Sequence, residues 1–464
     1  MRKAAHTALL VWAAFSLLIA VFVFWIALRQ GNAGFANYIQ NPPLINVPIT
    51  LTSVALLWLS VGALLALLES GRVNRSNVLS VAGFFTVCWV YLNLLSERFR
   101  YGDYTYYLDA AQKMYAHQPL PGSYFYLPLW ATLIQFLAPY GEETFLLALW
   151  LLDVFSLLLF YVLLHRTLQR YGFVPRLAAI VTTLFMLVNV PILRTLFYVQ
   201  VNLHTLNLVL LSLLLYPRRR FLSALSLALA VHLKTTPAVL VLAFLLEMDW
   251  RWLGWFVLCL FAVAGLTVAI NGFSPFLDAL HHMLGLSLSQ NTIFHDTSFD
   301  SFMRFTGAAV HINLTAIRIL IYAVKALLAT ATVIVLARGV RSAAYVAPPP
   351  TERAETGARL LNAAPPLFIL MTLASPIVWE HHGVFVALSF LLLLKRLDRP
   401  EDWLLFAFAY LLEFVVPTFD FYPWSYGRLL APLLVLWLMW KTGPPAATTL
   451  PFDKANRWLE GLAA

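Results

Sequence analysis

Residues 8–28 run from Ala8 to Leu28 without one charged side chain. A stretch of that length, wound as a helix at 1.5 Å per residue, covers the ~30 Å hydrocarbon core of a bilayer. Further apolar segments fall near 49–69, 78–95, 144–164, 177–193, 198–216, 222–234, 236–247, 253–271, 312–337, 360–376, 383–394, 403–416 and 428–440. Only 11% of the 464 residues are charged and 61% are hydrophobic, with a mean hydropathy of +0.78. Too few charges remain to cover a soluble surface of this size, which excludes soluble enzymes, fibres and disordered tails. The runs are too long, and too little alternating, for barrel strands. The expected fold is all-α: a polytopic transmembrane bundle of about 12–14 membrane helices, several shorter than the ~20 residues of a full span.

The net charge of +9 fits Lys and Arg gathered on cytoplasmic loops. No basic stripe with interleaved aromatics suggests nucleic acid, so none is expected as a partner. Cys88 and Cys259 lie within apolar segments, and two cysteines offer neither a disulfide framework nor zinc spacing. The start resembles a signal peptide, but its apolar run is too long, so a retained first helix is expected. With the N-terminus inside, Arg72, Arg75, Arg166, Arg170, Arg176, Arg218, Arg219, Arg220 and most later Lys and Arg fall on inner loops. Arg29, Arg98, Arg100, Lys113, Arg194, Lys234, Arg304 and Arg428 fall outside or at the outer rim. That bias predicts a multi-pass protein of the cell (inner or plasma) membrane with both termini cytoplasmic.

The alternation holds only if 126–139 does not cross, which makes 96–143 one long outer loop with amphipathic helices, aromatic side toward lipid. Three parts follow: N-terminal membrane helices (1–77), a central membrane module (78–394) with outer loops 96–143 and 272–311, and C-terminal helices with a cytoplasmic tail (395–464). Residues 341–359, with Pro348, Pro349 and Pro350, read as a flexible linker.

Polar residues that are costly near a membrane gather on the outer side. Asp103 and Asp109 stand among tyrosines, including Tyr107, just after a span. Asp103 suits either the cap of a helix over 104–116 or, at a partly dry interface, a general base. Tyr126 opens the apolar stretch 126–139. Gln200, Asn202 and His204 open a span, where they must bind one another or a ligand. Lys234, beside Pro237, lies at a break between two short apolar segments and could snorkel or meet a phosphate. Glu380, His381 and His382 sit at an outer helix boundary; adjacent histidines diverge by about 100° on a helix and chelate poorly, so no metal is expected. Loop 272–311, with Asn291, His295, Asp296, Asp300 and Arg304, is long enough to be a lid or a plain surface loop. Together these groups supply cations for a phosphate, a carboxylate for a proton and amides for hydroxyls.

In order and place, these motifs resemble glycosyltransferase family 87, the polyprenyl-phosphate-mannose-dependent α-mannosyltransferases of the GT-C superfamily. The resemblance rests on Asp103 followed by Tyr104 (where the family has Phe), Tyr107, Ala110 and Ala111. It continues in Tyr126-Leu127-Pro128-Leu129; Gln200-Val201-Asn202, with Val199 where Gly is usual; Lys234-Thr235-Thr236-Pro237; and Ser375-Pro376-Ile377-Val378-Trp379-Glu380-His381-His382, which departs at Val378 and Glu380. It implies a GT-C bundle and an inverting hexosyltransferase, with Asp103 as catalytic base. The donor would be a polyprenyl-phosphate-sugar, the sugar mannose and the acceptor a lipid or glycan, with the site on the outer face among membrane lipids. Substrate would be held by Tyr107, Tyr126, Gln200, Asn202, Lys234, Glu380, His381 and His382, without cofactor. The rival reading is a secondary transporter or lipid flippase, supported by the break at Lys234–Pro237 and by Arg318 and Lys325 within an apolar segment. A non-catalytic scaffold is disfavoured by the clustered polar groups.

Overall fold

The computed structural model describes residues 2–38, 47–98, 103–288, 296–343, 352–416, 418, 423–443 and 450–461. Asn291, His295 and Pro348–Pro350 lie outside them. The described residues form helices joined by turns and short irregular segments, with no strand among them. In order the helices are α1 (Arg2–Tyr38), α2 (Val47–Glu69), α3 (Val78–Arg98), α4 (Tyr104–Tyr115), α5 (Leu129–Ile134), α6 (Glu142–Arg170), α7 (Pro175–Leu187), α8 (Val190–Phe197), α9 (Asn202–Leu215) and α10 (Arg220–Leu233). Then follow α11 (Val241–Leu246), α12 (Trp250–Asn271), α13 (Ser274–Leu288), α14 (Phe299–Ala309), α15 (Leu314–Ala343), α16 (Glu352–Leu373), α17 (Ala387–Leu393), α18 (Pro400–Tyr410), α19 (Gly427–Thr442) and α20 (Leu450–Gly461).

Among the described residues six helices (α1, α2, α3, α6, α12 and α15) are long and apolar enough to cross a membrane, or seven if the bent pair α7–α8 is one span. The other apolar segments form shorter or broken helices, and the breaks have local causes. The expected run 177–193 bends by 58°. There Asn189 accepts from Ile192 N–H to start α8, and Pro191 in its first turn needs no donor. The run 236–247 starts as a 3₁₀ turn at Thr236–Leu240, with Pro237 at its head. Residues 360–376 end at Leu373, and the next turn, Glu380–Val386, is 3₁₀.

The described part of 96–143 folds into short helices, α4 and α5 with a 3₁₀ turn at Gln135–Tyr140. Its aromatic faces divide: Tyr104 and Tyr107 are buried against the bundle, while Tyr106 and Tyr115 stay exposed. Loop 272–311 carries α13 and α14. It is tied down by Asp296, whose carboxylate accepts from the Ser298 and Val378 amides. Within 341–359, expected as a linker, the described residues are helical: α15 runs to Ala343 and α16 starts at Glu352.

The bundle closes tightly where α3, α6 and α7 meet at Gly83. A Cβ there would overlap Thr183 Oγ1 and the Tyr161 hydroxyl, which are bonded to each other at 3.2 Å. Gly254, in α12, faces open space. Gly83→Ala should therefore cost about 1–3 kcal/mol by overpacking. Gly254→Ala should leave stability unchanged or raise it, since Ala favours helix. Thermal unfolding in detergent checks both; equal losses would contradict this packing.

Candidate active site

The site is assembled on the α9–α10 hairpin. Each helix has 14 residues, about 21 Å of rise. One end of the pair carries the arginines: Arg170 donates to the carbonyls of Leu213, Leu214 and Tyr216, and Arg220 pairs with Asp249 at 2.7 Å. Gln200, Asn202 and Lys234 stand at the opposite end.

Asp103 is the residue before α4, yet its side chain makes no cap bond. Its carboxylate instead accepts from Gln200 Nε2, and its backbone N–H donates to Tyr198 O at 3.0 Å. Gln200 is itself oriented. The Tyr126 hydroxyl donates to its Oε1 at 3.0 Å, and the Tyr107 hydroxyl lies 3.3 Å from both that oxygen and Tyr126. With Oε1 filled by tyrosine protons, the amide nitrogen must face the carboxylate. Val199 makes this geometry possible with φ +54°, a left-handed conformation costing a β-branched residue roughly 1–3 kcal/mol. It is the position where the sequence has Val in place of Gly.

Two residues on, Asn202 bridges the other half. Its Nδ2 donates to His381 O at 3.2 Å, and its Oδ1 accepts from Lys234 Nζ at 2.8 Å. Thr195 Oγ1 donates to the same carbonyl at 3.2 Å. Lys234 follows α10 in an extended conformation and lies over the Phe385 ring at 5.2 Å. Its charge is within electrostatic range of Asp103, His381 and His382.

The two histidines diverge, their rings at 88°. His382 is turned into its own loop: Nδ1 accepts from Trp379 N–H at 3.1 Å and the ring also bonds the Ile377 carbonyl. The His381 ring packs beside Tyr198, centroids 5.9 Å apart. Glu380 faces a different set of partners, Arg194 Nε at 2.9 Å, Arg428 at 2.7 Å and Thr418 N–H at 3.2 Å. Asp109 pairs with Lys113 on the half-exposed side of α4. His204 meets Asp153 of α6 at 3.2 Å and lies against Trp130.

The arrangement therefore joins Asp103, Tyr107, Tyr126, Gln200, Asn202, Lys234 and His381 through contacts between neighbours. His382 and Glu380 are held beside that group by their own partners. Sequence reasoning gave no role to Arg194 or Arg428. Their signal was the presence of acids in or beside apolar segments, Glu380 and Glu413, because a buried carboxylate needs a partner. No group of three or more His, Cys, Asp or Glu side chains converges among the described residues.

A profile of glycosyltransferase family 87 matches residues 124–376, 253 of the 464. The chain belongs to glycosyltransferase family 87. It is thus a multi-pass membrane glycosyltransferase, acting on a sugar donor and an acceptor. No curated protein and no solved structure matches the chain. The family match contains Tyr126, Gln200, Asn202 and Lys234. Asp103 lies before it and Glu380, His381 and His382 after it, and the hydrogen bonds above tie both sets to the matched core. The family also displaces the transporter reading, and one of that reading's supports has a structural explanation. Lys325 donates to Ala374 O at 3.1 Å at the end of α16 and pairs with Asp300.

Burial pushes the Asp103 carboxyl up to about 6, against the opposing pull of the Gln200 hydrogen bond and the Lys234 charge. An infrared acid-carbonyl band should therefore titrate near pH 6 and be missing in Asp103→Asn. Gln200→Leu removes a bond that favours the ionised form, so it should move the midpoint upward. A midpoint in the ordinary carboxylate range would contradict the burial.

Proposed function

We propose that this glycosyltransferase moves a hexose, mannose by family resemblance, from a polyprenyl-phosphate-sugar to a lipid or glycan acceptor on the outer face of the cell membrane, with inversion. The observation that carries the reading is the pairing of a half-buried carboxylate and a half-buried ammonium on residues two apart in one turn: Asp103 on Gln200, Lys234 on Asn202. Asp103 takes the proton of the acceptor hydroxyl. The acceptor oxygen bonds to the anomeric carbon as the carbon–oxygen bond to phosphate breaks on the opposite face. The polyprenyl phosphate leaves with the electron pair. A phosphate needs little protonation to leave but does need positive charge where its own charge grows, which is the role of Lys234. His381, whose ring is the less occupied of the two imidazoles, is the second phosphate contact. Tyr107 and Tyr126 hold the Gln200 amide, and the half-buried Tyr126 offers an aromatic edge toward the sugar.

The short hairpin supports a lipid-borne donor. Helices of about 21 Å in a ~30 Å hydrocarbon core leave Asn202 and Lys234 sunk below one surface, where a polyprenyl chain carries a phosphate laterally. The arginine-rich end of the hairpin belongs on the cytoplasmic side, which turns the site outward.

With purified protein and polyprenyl-phosphate-mannose, Asp103→Asn should lower kcat by about 10²–10⁴-fold with donor binding kept, while Asp109→Asn stays near wild type. The acid limb of kcat/KM should fall near pH 6, because the base works only when deprotonated and burial raises its pKa to about 6. Lys234→Ala should raise donor KM and lower kcat, since the phosphate is charged in both ground and transition states. A fully active Asp103→Asn enzyme with a dead Asp109→Asn would reverse the assignment of the base, and unchanged donor kinetics in Lys234→Ala would remove the lysine.

A further inference from the structure

Arg428 lies in α19, outside the family match and beyond the central module. It is 6% exposed and reaches three acceptors at 2.7 Å: Glu413 O, Val416 O and Glu380 Oε1. Arg194, on α8, takes the other oxygen of Glu380 at 2.9 Å. Glu380 thus stands between two guanidiniums at the head of the 3₁₀ turn Glu380–Val386. The next residue supplies the carbonyl that receives both Thr195 Oγ1 and Asn202 Nδ2. Gly383 of the same turn has no room for a Cβ, being pressed against Glu413 and Pro191. The turn is therefore pinned from behind by charge and by contact, and its front carbonyl dictates which way the Asn202 amide faces. Because Nδ2 must point to that carbonyl, Oδ1 must point to Lys234.

We propose that Arg428 and Arg194 are positioning residues for the reaction: by clamping Glu380 they fix the His381 carbonyl, and through Asn202 they set where the Lys234 ammonium stands. The inference rests on the reading that Lys234 meets the donor phosphate. Neither arginine touches Lys234 or Asp103, so their effect must pass through the turn. The C-terminal helices accordingly complete a site whose motifs all lie earlier in the chain.

A double-mutant cycle on donor kinetics tests it. Arg428→Gln leaves Glu380 one guanidinium short and should raise donor KM about tenfold, the scale of a displacement well under 1 Å at a charged contact. Added to Lys234→Ala, the same substitution should cost no more than about twofold further, because both act through one ammonium. Thermal unfolding is measured on every variant. If Arg428→Gln cannot be purified folded, Arg194→Gln, whose side chain is 41% exposed, enters the same cycle with the same expectations. Full additivity with Lys234→Ala, or a changed melting temperature with wild-type donor KM, would overturn the positioning role. If Lys234→Ala itself left donor KM unchanged, the phosphate reading would fall first and the inference with it. If Lys234→Ala raised KM and both arginine variants did not, only the inference would fall.

Discussion

One side-chain amide ties Lys234 to the turn at His381. Asn202 cannot turn over without setting an amide against an ammonium and a carbonyl against a carbonyl, so its two bonds enforce each other. Through them α9, the end of α10 and the turn at His381 are held in one geometry. Lys234 and Asp103 are both largely withdrawn from water, where an unpaired charge is expensive. Asn202 and Gln200 make those charges tolerable without neutralising them, since an amide dipole stabilises an ion and leaves its charge available to a substrate. The aromatic groups around them, Tyr107, Tyr126 and Phe385, keep the local dielectric low, so a phosphate or a developing alkoxide would feel the full effect of each group.

The breaks in the bundle follow from the same requirement. Irregular backbone in a membrane protein survives where it is buried in protein or lines a cavity. The bend before α8, the left-handed Val199 between α8 and α9, the extended Lys234 and the turn after α16 all converge on this site. Each break frees backbone groups, and they are used: Tyr198 O receives the Asp103 amide and His381 O receives Asn202 and Thr195. The expected spans are short here because the chain bends where it brings these polar groups together.

Much of this was legible in the sequence, residue by residue. The apolar runs gave the helical class, and the Lys and Arg bias isolated 96–143 as a loop outside the spans. Asp103, Gln200, Asn202 and Lys234 were conspicuous as polar groups at segment ends, and a lysine beside a proline marked the helix break. What stayed hidden was pairing at long range. Nothing local tells that Arg428 reaches back 48 residues to Glu380, or that Lys325 closes the end of α16. Sequence spacing also could not tell whether the Asp103 carboxylate caps its own helix or turns to another element; that it makes no cap bond and faces Gln200 is a tertiary fact. Likewise His381 and His382 are equivalent on paper, and only the loop that turns His382 back onto Trp379 and Ile377 distinguishes them.

The central claim is that one cavity holds the donor phosphate at Lys234 and the reacting sugar carbon within reach of a hydroxyl bound to Asp103. A structure of the protein with a non-transferable phosphonate analogue of polyprenyl-phosphate-mannose tests it most directly. The account predicts the phosphonate within hydrogen-bond distance of Lys234 Nζ and beside His381. The anomeric carbon should face Asp103 across a gap that one acceptor hydroxyl can fill. A phosphonate lodged away from Lys234, or a sugar whose anomeric carbon faces away from Asp103, would contradict it.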